Sequence, residues 1–372
     1  MTQRRIPFAS AAPREDHAAV RAAIDRVVAS GWFVLGPEVE AFEAEFAAAC
    51  GASHAVGVGT GTDALALILR ALGIGAGDEV ITTPLSAAFT ALAVLMVGAR
   101  PVFADVGPER LTIDPDTIDR AVTARTRAIL PVHLYGQPAD MDAIERLASR
   151  HGLAIVEDCC QAHLASAAGR PVGTIGAAGA FSFYPTKNLG AFGDGGAVVT
   201  NDRALADRVR RLRNGGQVAR NHHDEPGVNS RLDELQAAIL RARLPFLAEW
   251  TRRRRALAAA YRTALANAPV RVPAEQDAGH VYHLFVVRCG GGSAGGRRAA
   301  LQRHLAARGI DTLVHYPVPI PRQPAMAGTD PADCPRAAAA CNEVLSLPLH
   351  PGLDGADLAE VAAAVCAFPP GD

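Results

Sequence analysis

Five short β-branched runs, Ala55–Val58, Glu79–Thr82, Pro101–Asp105, Ala128–Leu134 and Leu153–Glu157, alternate with helical patterns over Thr62–Leu72, Ser86–Val97, Pro115–Val122 and Asp140–Arg150. Strands separated by helix-length connections return parallel to one another, so the pattern predicts βαβ units and a mostly parallel sheet covered on both faces. Two more apolar runs, Ala180–Phe183 and Gly196–Thr200, follow across a Gly-rich, hairpin-like segment. Beyond them the pattern changes. Arg231 to about Ala266 reads as one long helix kinked at Pro245. After it come a strand-like His283–Arg288, a Gly-rich turn (Gly290–Gly296), a helix from about Arg297 to Arg308 and a closing helix from Asp354 to Cys366. The reading is an α/β protein with a large domain over 1–245, the N-terminal segment included, and a smaller C-terminal α+β domain over 246–372.

Composition narrows the function classes. A net charge of −1 over 372 residues leaves no broad electrostatic footprint for nucleic acid or an anionic membrane. The most apolar stretch, Leu85 to Ala99, contains Ser86 and Thr90 and is shorter than the roughly 20 residues of a membrane span, so it is expected as a buried helix. Met1 to Pro13 lacks the apolar region of a secretory signal, and a cytoplasmic location is expected. The seven cysteines (50, 159, 160, 289, 334, 341 and 366) are scattered and never spaced C-x-x-C, which points to reduced thiols. Arg252–Arg255 reads as mostly a solvated helix face, and His222-His223, with no third ligand positioned by spacing, gives no metal site.

Of the 37 basic residues only Lys187 is lysine. Arginine serves equally well for surface charge, but lysine alone deprotonates under mild conditions to a nucleophilic amine or condenses with an aldehyde. Composition alone leaves coding bias and function equally open. The surroundings decide. Gly57-Val58-Gly59-Thr60-Gly61-Thr62-Asp63 follows a strand and opens a helix, where backbone N–H groups, the helix dipole and the hydroxyls of Thr60 and Thr62 either cradle a phosphate or form a capped helix start. Thr62 stands at the third glycine position of a dinucleotide fingerprint, which argues against a nicotinamide enzyme. Glu157-Asp158-Cys159-Cys160-Gln161-Ala162-His163 follows a strand with carboxylates that either face a bound ring or cap the next segment. Phe181–Gly190 holds Lys187 just after a strand, with Ser182 five residues earlier. Asn229-Ser230 precedes the long helix and is alternatively its N-cap. A phosphate cradle, an acid for a ring nitrogen and a Schiff-base lysine together are what pyridoxal 5′-phosphate (PLP) needs.

These segments also resemble the sugar aminotransferases of the DegT/StrS type, within the fold-type I PLP enzymes. The resemblance begins at Gly31-Trp32-Phe33-Val34-Leu35-Gly36-Pro37-Glu38-Val39 and runs through Gly61–Leu65, Pro131–Pro138, Phe181–Lys187 and Asn229–Gln236 to His315-Tyr316-Pro317 and Leu345–Leu349. It implies that Lys187 forms the internal aldimine and then acts as the acid–base catalyst, that Asp158 pairs with the pyridine nitrogen, and that Gln161 lies near the phenolic oxygen. Gly61, Thr62 and Ser182 would hold the phosphate, with Asn229 reaching it from the partner subunit of a homodimer. His163 would lie beside the ring, and Tyr184, His315 and Tyr316 near the sugar. The implied reaction moves an amino group from L-glutamate or glutamine to a keto-sugar on a nucleoside diphosphate, in amino-sugar biosynthesis for an antibiotic or a polysaccharide. A keto-cyclitol acceptor and a non-catalytic PLP-binding regulator are the alternatives. A PLP-dependent dehydratase of the same fold carries histidine at the lysine position, which Lys187 argues against. Relatives usually place the aromatic that stacks on the ring at the position of Ala88; here Phe89 follows it, and the stacking residue is open between the two.

Overall fold

A computed structural model describes residues 4–9, 15–290, 295–329 and 333–369. Helices α1 (His17–Ser30) and α2 (Pro37–Ala49) precede the first strand, β1 (His54–Val58). The expected alternation follows: α3 (Gly61–Ala71), β2 (Glu79–Thr82), α4 (Phe89–Met96), β3 (Arg100–Phe103), α5 (Pro115–Ala121), β4 (Thr126–Leu130), α6 (Met141–His151) and β5 (Ala154–Asp158). A small ribbon, β6 (Ser166–Ala167) with β7 (Arg170–Pro171), leads to β8 (Ala178–Ser182) and β9 (Gly196–Thr200). The seven-stranded sheet runs β1-β9-β8-β5-β4-β2-β3. Only β9 is antiparallel to its neighbours, β1 and β8. The cause lies in the connection: Phe183–Gly195 contains no crossover helix, so the chain turns back beside β8 instead of returning parallel to it. That connection carries the single lysine.

The long helix is broken where proline was expected to break it. It consists of α8 (Glu234–Arg243), a 3₁₀ turn Leu244–Phe246 and α9 (Leu247–Ala264). It starts three residues later than expected, with Asp233 at the N-cap position, because Ser230 is engaged elsewhere. Between β9 and α8 lie α7 (Arg203–Leu212) and a ribbon of β10 (Gln217–Ala219) and β11 (His222–His223), so the His222-His223 pair sits on an exposed two-stranded edge. The C-terminal part contains β12 (Phe285–Arg288), α10 (Gly296–Ala306), α11 (Pro335–Glu343), β13 (Val344–Leu347) and α12 (Gly355–Cys366), with β12 and β13 antiparallel. Residues 291–294 of the Gly-rich turn lie outside the described residues. This part has its own apolar core around Tyr261, Phe285, Leu301, Leu345 and Val361. Ile6 belongs to that core and donates its N–H to Gly309 O at 2.9 Å, whereas Phe8, two residues on, packs against the core of the large sheet, so this N-terminal stretch touches both parts.

Two buried glutamates tie the layers together. Glu234, at the start of α8, accepts N–H groups of Gly36, Glu38 and Val39, satisfying the orphan donors at the N-terminus of α2 across nearly 200 residues of sequence. Glu157 points to the face of β5 opposite Asp158, as strand alternation requires. Its carboxylate accepts N–H groups of Gly173, Ile175 and Gly176 at 2.8–2.9 Å and faces His133 Nε2 at 3.1 Å. His133 Nδ1 accepts from Ala139 N, so Nε2 carries the proton that Glu157 receives. Glu157→Gln turns an amide NH₂ toward donors and is expected to cost about 2–4 kcal/mol in a urea unfolding titration. A loss below about 0.5 kcal/mol would show that the carboxylate does not anchor this turn.

Candidate active site

Asp158 ends β5, Ser182 ends β8, and Thr60-Gly61-Thr62 joins β1 to α3. β1, β5 and β8 all point the same way, so these residues gather at the carboxyl edge of the sheet, where open α/β sheets bind ligands. They line a cavity of about 490 Å³. Of the residues singled out from the sequence, Gly61, Thr62, Asp158, Gln161, Ser182, Tyr184, Lys187 and Tyr316 face this one space.

Asp158 is buried, and its orientation is fixed at both oxygens: Oδ1 accepts from Cys160 N at 3.1 Å and Oδ2 from Thr90 Oγ1 at 2.8 Å. Thr90 in turn lies 3.3 Å from Ser86 Oγ. Thr90 was missed in the sequence because it sits inside an apolar helix pattern, and only the packing of α4 over β5 turns its hydroxyl toward the carboxylate. Gln161 accepts from Tyr135 N at 2.7 Å and donates to Tyr316 Oη at 2.9 Å, and Tyr135 donates its hydroxyl to His315 O. Burial holds the Lys187 amine below the usual lysine range, and the nearby Asp158 carboxylate works against that shift without cancelling it.

Helix α3 opens with Thr60 at its N-cap, Oγ1 accepting from Asp63 N at 3.0 Å; of the two candidate phosphate hydroxyls, this one also caps the helix. Gly61 is needed for close approach: a Cβ there would stand 2.7 Å from Cys160 Sγ and 2.8 Å from Ser182 Cβ. Gly61→Ala is therefore expected to push α3 off β8 and weaken cofactor retention about tenfold or more, read by equilibrium dialysis. Unchanged retention would show that the helix start has room to move.

Other expectations fall differently. Ser230 is not the cap of α8; its hydroxyl donates to Asp63 Oδ2 at 2.8 Å and accepts from Gly59 N at 2.9 Å. Asn229 is exposed and bridges to Asn214, away from this chain's own cavity wall. His163 is fully buried against Phe181 and Phe183, off the cavity wall, with neither ring nitrogen hydrogen-bonded; burial first and Lys187 second lower its pKa to about 3. His315 stands behind Tyr316, bonded to Ser346 Oγ at 2.9 Å, and is likewise off the wall. Phe89, 63% exposed, lines the cavity, whereas Ala88 packs against the core. The aromatic one residue late is thus the one that reaches the site. His133, Glu157 and Cys159 form the one cluster of metal-ligand type among the described residues, and the His133 and Glu157 atoms in it are already hydrogen-bonded to each other and to backbone.

A single lysine on a β8–β9 connection, a carboxylate held at two points on the next strand and a helix N-terminus beside both are the donor set of a PLP enzyme of the α/β type. The family model of the DegT/DnrJ/EryC1/StrS aminotransferases matches residues 14–366. Over 356 residues the chain is 53% identical to the dTDP-3-amino-3,4,6-trideoxy-alpha-D-glucose transaminase of Streptomyces venezuelae, covering 94% of this chain and 92% of that one. It shares 52% identity and a TM-score of 0.93 with the crystal structure of S. venezuelae DesV in complex with a ketimine intermediate, over 97% of each chain. With NtdA from Bacillus subtilis bearing bound PMP, the TM-score is 0.89 at 30% identity, over 97% of this chain and 85% of the other. The chain belongs to the DegT/DnrJ/EryC1/StrS aminotransferase family, and its cofactor is pyridoxal 5′-phosphate.

Proposed function

We propose that this aminotransferase takes an amino group from L-glutamate and delivers it to the 3-keto group of a deoxyhexose carried on deoxythymidine diphosphate. The observation that carries the reading is the placement of the Lys187 amine and the Asp158 carboxylate on one cavity wall, in a chain 53% identical to a transaminase named for a dTDP-3-amino sugar. When bound, the cofactor supplies the electron sink that makes the donor's α-hydrogen acidic. Lys187 Nζ would hold it through its aldehyde, Asp158 would hold a proton on its ring nitrogen, and Gly61, Thr62 and Ser182 would take its phosphate at the start of α3. Phe89 would cover one face of the ring. Once free, neutral Lys187 Nζ would take the proton from the donor's α-carbon and pass it on to the cofactor, and in the second half-reaction it would carry a proton back from the cofactor to the sugar carbon that receives the amine. Tyr184 and Tyr316 would contact the sugar.

The test is the absorption spectrum of the purified protein before and after L-glutamate, followed by the dTDP-linked 3-keto sugar. The visible cofactor band should vanish with glutamate and return with the keto-sugar, and borohydride should label Lys187. A band unmoved by glutamate would remove the donor from this reading, and one not restored by the keto-sugar would remove the acceptor. The glutamate half-reaction should also speed up with rising pH, because the neutral amine is the active form. Its midpoint should lie below the ordinary lysine value of about 10.4, since burial lowers the folded pKa. A midpoint at or above that value in stopped-flow traces would show that burial does not set the amine.

A homodimer completes the reading. Trp32, Phe33, Val34, Phe89, Met96 and Phe192 are exposed apolar side chains, Phe89 at the cavity itself, and Asn229 is available to reach a second copy's phosphate. Sedimentation of the holoenzyme should give a dimer. We place the domain boundary near residue 245, at the 3₁₀ turn between α8 and α9, and the protein in the cytoplasm; no helix among the described residues is long and apolar enough to cross a membrane.

A further inference from the structure

The amine of Lys187 hangs from a loop without regular structure: β8 ends at Ser182, β9 begins at Gly196, and neither helix nor strand lies between them. A lysine side chain is a long flexible stem, so where its amine stands is decided by what holds that backbone. Bonds from Lys187 N to Tyr184 O and from Ala191 N to Phe183 O close the loop on itself. Other elements then hold it from outside. Gln236 clamps the far end, accepting from Phe192 N at 2.8 Å and donating to Phe192 O at 3.5 Å. In the middle, Gly190 lies against Pro185 more closely than a Cβ would allow, and Arg243 donates to Gly190 O. Beside the amine itself the hold is Asn188.

Asn188 is buried, and both ends of its amide are engaged. Nδ2 donates to Val281 O at 3.3 Å, and Oδ1 accepts from His283 Nδ1 at 3.2 Å. A carbonyl only accepts, which fixes the amide this way round and puts the imidazole proton on Nδ1. Burial, with Lys187 as a lesser cause, holds the His283 pKa well below the usual histidine range, so the ring is neutral and has that one proton to give. The stretch that carries His283 is itself fixed. Arg254, the buried member of Arg252–Arg255 and so turned inward, donates from Nη1 to the carbonyls of Tyr282 and His283, both at 3.3 Å. On the other side Val281 N donates to Gly136 O at 3.1 Å and Leu284 N to Tyr135 O at 3.3 Å, while Tyr135 N donates to Gln161 on the cavity wall. One stretch leading into β12 therefore sets two cavity residues, Lys187 through Asn188 and Gln161 through Tyr135.

We propose that Asn188 and His283 are positioning residues for the amine: by tying the backbone beside Lys187 to the stretch before β12, they hold Nζ at the point on the cavity wall from which the proton is moved. The assignment rests on the reading above that Lys187 is the amine of the reaction. Proton transfer falls steeply with misplacement, roughly 100-fold for about 1 Å, whereas a contact that only stabilises the fold leaves the rate of the folded protein alone.

Asn188→Leu, close to isosteric, should slow the glutamate half-reaction of the holoenzyme at saturation about 30- to 100-fold, with the donor dissociation constant and the keto-sugar KM within about threefold of wild type. His283→Leu should lose about tenfold, and His283→Asn, whose amide can place an N–H where Nδ1 stands, should return to within about threefold of wild type. The single lysine gives a second readout. Protein labelled with ¹³C at lysine Cε gives one lysine resonance, and loading with pyridoxamine phosphate leaves that amine free whatever the donor. The resonance should move toward that of free lysine in Asn188→Leu and His283→Leu and stay in place in His283→Asn. A wild-type rate in folded Asn188→Leu would overturn the proposal, as would a lost rate with the lysine resonance unmoved. If Asn188→Leu does not fold, the two His283 variants decide, and equal rates in them would overturn it as well. With a donor other than glutamate the resonance test is unchanged. Failure of the amine reading looks different, since borohydride would then leave wild-type Lys187 unlabelled.

Discussion

Lys187→Arg is expected to lose at least about 10⁴-fold in turnover although the positive charge is kept. The guanidinium cannot shed its proton near neutral pH and cannot condense with the cofactor's aldehyde, so both tasks of the amine disappear together. The surroundings also resist the substitution, because burial already holds the lysine below its ordinary range and a group that cannot neutralise would keep its full desolvation cost there. Two readouts separate chemistry from folding: the variant should retain its thermal midpoint within a few degrees, and borohydride should label no residue. Turnover within tenfold of wild type would remove Lys187 from the centre of the mechanism.

Asp158→Asn comes second, with an expected loss of about 10²- to 10³-fold in the glutamate half-reaction. An amide carries no charge to hold a proton on a ring nitrogen, so the electron sink weakens while cofactor binding largely survives. Thr90 and Cys160 N are both donors to the present carboxylate, and the amide can satisfy only one of them with its oxygen. Thr90→Val should therefore give a milder loss of about 3- to 10-fold, with a shift in the cofactor's absorption, since it frees the orientation of Asp158 without removing its charge. If Asp158→Asn ran the half-reaction at the wild-type rate, the ring nitrogen would have another partner.

Much of this was legible in the chain. The alternation of short apolar runs with helical patterns predicts the parallel strands β2 to β5, because side-chain periodicity and connection length act locally and need no tertiary knowledge. Pro245 marks the break between α8 and α9 for the same reason. The lone Lys187, Asp158 at a strand end and Gly61 at a strand-to-helix junction are visible because the chemistry of each residue type is distinctive. Helices α1, α2, α7 and α11 carry no such mark, their burial being set by partners far away in sequence; α2, for instance, is capped by Glu234.

What the sequence by itself determined is the α/β class; it also singled out a candidate amine and acid, and the glycine that lets a helix start approach them. Tertiary structure alone decided which of two adjacent carboxylates faces the site: Asp158 opens to the cavity while Glu157 is consumed by three backbone donors and His133, because β5 alternates and only packing says which face is which. It likewise decided that His163 is packed between Phe181 and Phe183 and not at the cavity, that Thr90 steadies Asp158, and that one arginine of four turns inward. Each of these is a contact between segments tens to hundreds of residues apart. Local propensity carries no information about such contacts, whereas burial in one shared core fixes them.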